Sequence, residues 1–522
     1  MTTDTTTSTR TAASATSPTS TTASALSPDL EAIVAAAAAA APAFATTAPA
    51  DRADALSAVA DALEAAREIL VPIAMRETGL SEARLNGELT RTAVQLQMFA
   101  ATLREGAYVD ARIDPADDAF ALGVRPDVRR VHVPVGPVLN FAASNFPFAF
   151  SVAGGDSAAA LAAGCPLIVK AHSGHPELSD ATAAVVDRAL TDAGMPAGVF
   201  ALIHGQEAGT AVLEDERIRA GSFTGSIRAG RLLADIAAAR PTPIPFFGEL
   251  GSVNPVFVTE AALAESGPDI AAGYVTSVSG SAGQLCTKPG FLFAPADHGL
   301  DEAIATAADA VEEHRLLNPG IARGFAERRD AILAVPGVRV IAEGGLRIAD
   351  DGQGWARPTL VVLSLADFRA NREALLDEAF GPLSIIVEVP AGTSYADLVP
   401  EFFAGNLTAT LHLSIAETAG ETEDRDRLGE LVDAVSRQVG RVLFGGWPTG
   451  VAVTPAMQHG GPWPATTNDA STSVGSAAIQ RFLRPVAFQN APAAFLPAAL
   501  QDANPLDLPQ AVSPAGASTT WG

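Results

Sequence analysis

The sequence predicts an α/β protein built on parallel strands, on three observations. Short apolar runs alternate with amphipathic stretches at the spacing of strand–helix–strand units. Of 522 residues, 48% are apolar and 18% charged, a balance that sustains folded cores and excludes wholesale disorder. The length exceeds one ordinary domain, so two or more are expected.

Residues 1–28 are nearly all Thr, Ser and Ala, with Arg10 as the one basic residue and no apolar core segment. They read as a disordered tail rather than a secretory signal. The Ala-rich stretch Ile33–Ala41 is cut by Pro42, which makes it too short to span a membrane. From Ala53 to Leu103 the pattern is helical, with Leu56, Val59, Leu63 and Leu70 at helical steps. Residues 129–142 turn to a valine-rich β pattern with Gly136-Pro137 as a turn. Alternation then sets in: strand Pro166–Val169, helix Ala181–Ala193, strand Phe200–Ile203, helix Ala208–Glu214, strand Ala220–Phe223. A second alternating block runs over 250–460, and the tail beyond 490 is Pro- and Ala-rich with little periodicity.

Charge and absences narrow the function. Thirty-four basic against 59 acidic residues give a net charge of −25, a surface that repels nucleic-acid backbones. With only two cysteines, Cys165 and Cys286, no disulfide framework holds the fold, which points to the reducing cytoplasm. No Walker A, G-x-S-x-G, H-E-x-x-H, C-x-x-C or G-x-G-x-x-G pattern occurs, and the eight histidines suggest no metal site. The chain has just two lysines, Lys170 and Lys288, so each stands out against the arginines.

Four pieces carry chemistry. Cys286 ends SVSGSAGQLC, where small residues let a ligand approach a nucleophile; a buried structural cysteine is the other reading, and it suits Cys165. Glu249 in FFGELG sits among apolar residues, where burial would raise its pKa into the range of a general base. Asn145 in AASNFPF offers an amide donor to an oxyanion, or forms a turn. Phe223-Thr224-Gly225-Ser226 closes a strand and opens a helix, an anion site at a helix start. With Lys170 ending an earlier strand, it suggests a nucleotide over the strand ends.

These residues resemble the NAD(P)-dependent aldehyde dehydrogenase superfamily over about residues 30–490. The motifs are SNFPF at 144–148, LIVKAHSGHP at 167–176, FTGS at 223–226, GELG at 248–251, GQLC at 283–286 and EAFGP at 378–382. The resemblance implies an aldehyde dehydrogenase-like fold: two Rossmann-like parallel α/β domains plus a small β oligomerisation unit. It implies a cofactor-binding domain at 29–115 and 135–250 and a catalytic domain at 251–460. Oligomerisation strands at 116–134 and 480–490 and a C-terminal extension at 491–522 follow. Cys286 would be the nucleophile, Glu249 the general base, and the Asn145 amide with the Cys286 N–H the oxyanion hole. Lys170 would touch the adenine ribose and Ser226 the pyrophosphate, while Glu378 and Phe380 position the nicotinamide ribose and ring. The oligomerisation unit implies a homodimer or homotetramer.

Longer stretches, among them QHGGPWPATTNDASTSVGSAAIQRFLRPVAFQN and LQDANPL, resemble the α-ketoglutaric semialdehyde (2,5-dioxopentanoate) dehydrogenases. Ser173 stands where NAD-preferring members often carry glutamate, and with His172 and His175 nearby it tolerates a 2′-phosphate, so NADP is expected and NAD is the alternative. An acidic substrate calls for a local cation, for which Arg91 is the candidate, a solvated helix-face arginine being the alternative. Phe146, Phe148 and Phe150 as an apolar funnel would instead favour medium- or long-chain aliphatic aldehydes. A non-catalytic binding protein on the same fold is the rival of another class.

Overall fold

The computed structural model describes residues 26–516, so residues 1–25 of the expected tail, and the end of the chain from 517, lie outside the described residues. Four helices open the described part: α1 (Pro28–Thr46), α2 (Pro49–Ala65), α3 (Arg67–Thr78) and α4 (Glu82–Glu105). A hairpin follows, β1 (Ala111–Asp114) and β2 (Val128–Pro134). Then come β3 (Val138–Phe141), α5 (Gly155–Ala163), β4 (Leu167–Lys170), α6 (Pro176–Asp192), β5 (Phe200–Ile203), α7 (Gln206–Glu214), β6 (Ala220–Thr224), α8 (Ile227–Ala239) and β7 (Phe246–Glu249).

The strands β5-β4-β3-β6-β7 form one parallel sheet in that order. Their runs of Val, Leu and Ile suit burial on both faces, and Val138, Leu139, Leu167, Ile168 and Val169 are all fully buried. The chain starts at β3, winds out to β5, and returns to place β6 on the other side of β3. Open sheets bind ligands at the carboxyl ends of strands at such a reversal. Lys170, Thr224 and Glu249 end three of these strands.

The second sheet begins with β8 (Val256–Val258), α9 (Glu260–Ser279) and β9 (Phe291–Pro295). Its order is Arg339–Ala342, Thr359–Ser364, Leu383–Val389, β9, β8, Asn406–His412 and Val439–Phe444; only the first strand runs antiparallel to its neighbour. A third sheet has the order Leu483–Gln489, β2, β1, Gln510–Val512.

Two local readings of the sequence need correction. α1 does not stop at Pro42 but runs on to Thr46. The carbonyl that Pro42 leaves without its N–H partner belongs to Ala38, which is partly exposed and open to water. By length and composition α1 is thus the one helix among the described residues apolar enough to cross a membrane. Its Val34, Ala37, Ala40 and Phe44 are instead buried, the helix packing against α7, β4 and β5. The aperiodic tail also adds a strand, pairing Ala111 with Gln510 through Ile113 with Val512. Three residues are too few to show a period in sequence.

Candidate active site

The chain reaches Cys286 through a tight corner. α9 leads into a 3-10 turn, Gly280–Gly283, in which Ser281, Ala282 and Gly283 all have positive φ (51°, 53° and 64°). Non-glycine residues seldom adopt this conformation, and strain of this kind collects at functional sites. A Cβ on Gly283 would stand 2.4 Å from the Gly381 carbonyl oxygen, so glycine alone lets this corner pack against the Glu378–Pro382 loop. Asn254, itself at φ 45°, donates from Nδ2 to the carbonyls of Cys286 (2.8 Å) and Lys288 (2.9 Å). Gln284 accepts at Oε1 from Leu317 N–H (2.8 Å). With both carbonyls tied back, the Cys286 N–H donates to no backbone acceptor among the described residues.

Asn145 follows β3 and lies buried against this corner, donating from Nδ2 to Gln284 O at 3.0 Å. Glu249 ends β7 and is 2% exposed. Burial, partly offset by Arg481, pushes its carboxyl up to about 7. Oε1 accepts from Arg481 Nη2, and Oε2 is buried without a hydrogen-bond partner. Glu249 is turned to Arg481 rather than bonded to the thiol, though its charge is felt at Cys286. Burial, then the charges of Glu378 and Glu249, push the thiol up to about 12, with Arg91 acting in the opposite direction.

The sequence reading passed over the thiol's nearest ring. His459 Nε2 lies 3.6 Å from Cys286 Sγ. Thr472 Oγ1 holds its backbone N–H (2.9 Å), and burial, then Arg441, Arg91 and Arg481, keep the imidazole neutral with a pKa near 3. The one signal was its place in QHGGPWP, a stretch noted for resemblance and not for chemistry.

Cys286 and His459 open onto a cavity of about 390 Å³ lined also by Arg84, Arg91, Phe146 and Phe150. Phe148 is not part of the funnel: it is 1% exposed within the helical core. Residues 147–150 form turns, and the Phe148 ring packs into the core while Phe146 and Phe150 line the cavity. The two arginines share one face of α4 but differ. Arg84 pairs with Glu88 and donates to Ser281 Oγ (3.2 Å) and Asn145 O (3.3 Å). Glu88 in turn accepts the N–H groups of Phe148 (2.8 Å) and Ala149 (2.9 Å). Arg91 lies over the rings of Phe146 (5.7 Å) and Phe150 (5.3 Å), and its Nε and Nη2 are buried without an acceptor. Burial lowers its pKa.

The residues expected to hold a cofactor lie at and beyond the strand ends. Lys170 is half-buried at the end of β4, and burial alone lowers its pKa. Gly225 and Ser226 are exposed at the start of α8, where first-turn N–H groups suit a phosphate. Ser226 also caps the helix, its Oγ accepting from Ala229 N–H at 3.3 Å. Phe223 packs on the Gly225 corner, and a Cβ there would meet its ring at 2.4 Å. A Cβ on Gly251 would stand 2.5 Å from Glu378 Oε2, so Glu378 reaches the segment just after β7. Phe380, two residues on, is partly buried against the first core. Burial raises the Glu378 carboxyl and lowers the Lys288 ammonium, each partly restoring the other's charge. Ser173 is exposed. His175 does not join it: its ring is buried on Ala143 O (2.9 Å) and Ser179 Oγ (3.2 Å), which leaves His172 beside the serine.

The aldehyde dehydrogenase family matches residues 2–395. "Alpha-ketoglutaric semialdehyde dehydrogenase 2" of Azospirillum brasilense is 43% identical over 87% of this chain and 85% of its own. The alpha-ketoglutaric semialdehyde dehydrogenase of Acinetobacter baylyi is 40% identical over 85% and 83%. An NAD-dependent aldehyde dehydrogenase from Sinorhizobium meliloti superposes with a TM-score of 0.71 at 22% identity, over 89% of this chain and 87% of that one. Matches of this extent, around a cysteine corner set against a strand-end crevice, show that the chain belongs to the aldehyde dehydrogenase family, enzymes that oxidise an aldehyde with a nicotinamide cofactor.

Proposed function

We propose that the enzyme oxidises 2,5-dioxopentanoate to 2-oxoglutarate through a thioester on Cys286, with NADP as cofactor. The observation that carries the substrate is Arg91, whose buried donors lack acceptors in the cavity that holds the thiol. A substrate carboxylate would satisfy them while its aldehyde end reached Cys286. The names of the two 40–43% identical relatives support the same substrate.

His459 is the base placed nearest the sulfur, and the cation formed by taking the thiol proton would be offset by the thiolate itself. The sulfur attacks the carbonyl, and the alkoxide is held by Asn145 Nδ2 and the Cys286 N–H, each such donor being worth about 3 kcal/mol. A nicotinamide held by Glu378 and Phe380 would supply the hydride acceptor, so that collapse of the adduct would leave the thioester on Cys286. Glu249, poised near neutrality, then removes a proton from the water that releases the acid. Lys170 and the Gly225–Ser226 corner would hold the adenosine ribose and the phosphates, and Glu378 and Phe380 the nicotinamide end. Exposed Ser173, in place of a carboxylate, leaves room for a 2′-phosphate without repulsion.

A homodimer or homotetramer is supported by the third sheet, whose strand Leu483–Gln489 has a free edge suited to pairing with another copy. Two free cysteines suit a cytoplasmic setting. The test compares kcat/KM for 2,5-dioxopentanoate with that for hexanal, with NADP and with NAD, in wild type and Arg91→Ala. The acid should be favoured in wild type, and the substitution should cut that preference by roughly 30-fold or more, the worth of a charge-assisted hydrogen bond. An unchanged ratio would remove Arg91 and the acidic substrate together.

A further inference from the structure

Behind Glu249 lies a buried ion triad that the reaction scheme leaves unused. Arg481, on the 3-10 segment Ser476–Phe482, donates from Nη2 to Glu249 Oε1, from Nη1 to Asp156 Oδ1 (3.0 Å) and from Nε to Ser471 Oγ (3.1 Å). The three ionic residues are 2–6% exposed, and the guanidinium also lies 5.5 Å from the Phe247 ring centroid. Asp156 stands in the first turn of α5, near Ser222 on β6, whose hydroxyl donates to Asn140 Oδ1 (3.0 Å).

We infer that Asp156 and Arg481 are positioning residues for Glu249: Arg481 grips one carboxylate oxygen and leaves the other free for water, while Asp156 cancels enough of the guanidinium charge to keep Glu249 basic. This rests on the reading of Glu249 as the base of thioester hydrolysis. The grip is one-sided, since Oε1 is bonded and Oε2, equally buried, has no partner. An arginine facing Glu249 alone would hold the carboxylate as a weakly basic ion pair. A second carboxylate on the opposite nitrogen divides that charge. The charged and titratable groups around Glu249 are Arg481, Asp156 on α5 and the Cys286 thiol; His459 also feels Arg481. Of the two partners, Arg481 lowers the Glu249 pKa and Asp156 raises it, so removing them must have opposite consequences.

p-Nitrophenyl acetate is a cofactor-free probe. The Cys286 sulfur bonds the acetyl carbon as nitrophenolate leaves, and water then cleaves the thioester. Nitrophenolate bursts report acylation, and intact mass followed over pH reports hydrolysis of the acetyl-enzyme. In Arg481→Gln the acid limb of hydrolysis should move up by about one pH unit or more, and in Asp156→Asn down by a similar amount. Arg481→Lys should return the limb toward wild type, and burst amplitudes should persist. If Arg481→Gln gives no burst because it fails to fold, Asp156→Asn and Arg481→Lys carry the same comparison. Limbs that coincide with wild type, or shift in the same direction, overturn the inference. Glu249→Gln separates the two readings: if it does not accumulate acetyl-enzyme, the base assignment itself is wrong.

Discussion

The two cysteines show what makes a thiol useful. Both are free, and burial raises the pKa of both, Cys165 to about 11 and Cys286 to about 12. Cys165 lies just before β4, fully buried among alanines and valines, with the Phe482 carbonyl 3.4 Å from its sulfur. Cys286 sits on a strained corner facing a cavity, with an imidazole at 3.6 Å, a guanidinium in the same cavity wall and the Asn145 amide on the carbonyl of Gln284, two residues before it. Resting acidity does not distinguish them. The proposed nucleophile is set apart by access and by groups that would take its proton and hold the charge it creates.

The largest effect should separate the two sites outright. Cys286→Ala is expected to lower kcat by about 10⁴-fold or more, whereas Cys165→Ala should leave kcat within about twofold and cost ~1 kcal/mol of stability by urea unfolding. Comparable losses from both would erase the contrast. Next, His459→Gln should slow acylation by roughly 10²-fold while leaving acyl-enzyme hydrolysis nearly unchanged, as read by the pre-steady-state burst. A uniform loss in both steps would make the ring a packing residue. The smallest effect concerns pH. If Glu249 is the base of acyl-enzyme hydrolysis, as proposed, the rate should fall tenfold per unit as pH drops below about 7 and level off above it. A flat profile from pH 5 to 9 would show that Glu249 is not the group that titrates.

The parallel alternation was legible because β3 to β7 carry continuous apolar runs with helices between them. Cys286, Glu249 and Asn145 stood out as candidates because small or apolar neighbours made each unusual for its type. What stayed hidden depends on contacts between distant segments. Arg481 and Glu249 lie 232 residues apart, and His459 and Cys286 173 apart, and nothing local marks either pair. Arg91 and Arg84 look alike in sequence. Only Glu88, the Ser281 hydroxyl and the Asn145 carbonyl, all meeting Arg84, leave Arg91 the unsatisfied one. Phe148 was misplaced because nothing local tells which of three closely spaced phenylalanines faces the cavity and which the core.

The most direct test of the account traps its covalent intermediate. Glu249→Gln, mixed with 2,5-dioxopentanoate and NADP, quenched in acid and digested for peptide mass spectrometry, should carry the aldehyde's mass less two hydrogens on Cys286 and leave Cys165 unmodified. The account is contradicted if rapid cofactor reduction occurs while Cys286 stays bare, or if the adduct sits on any other residue.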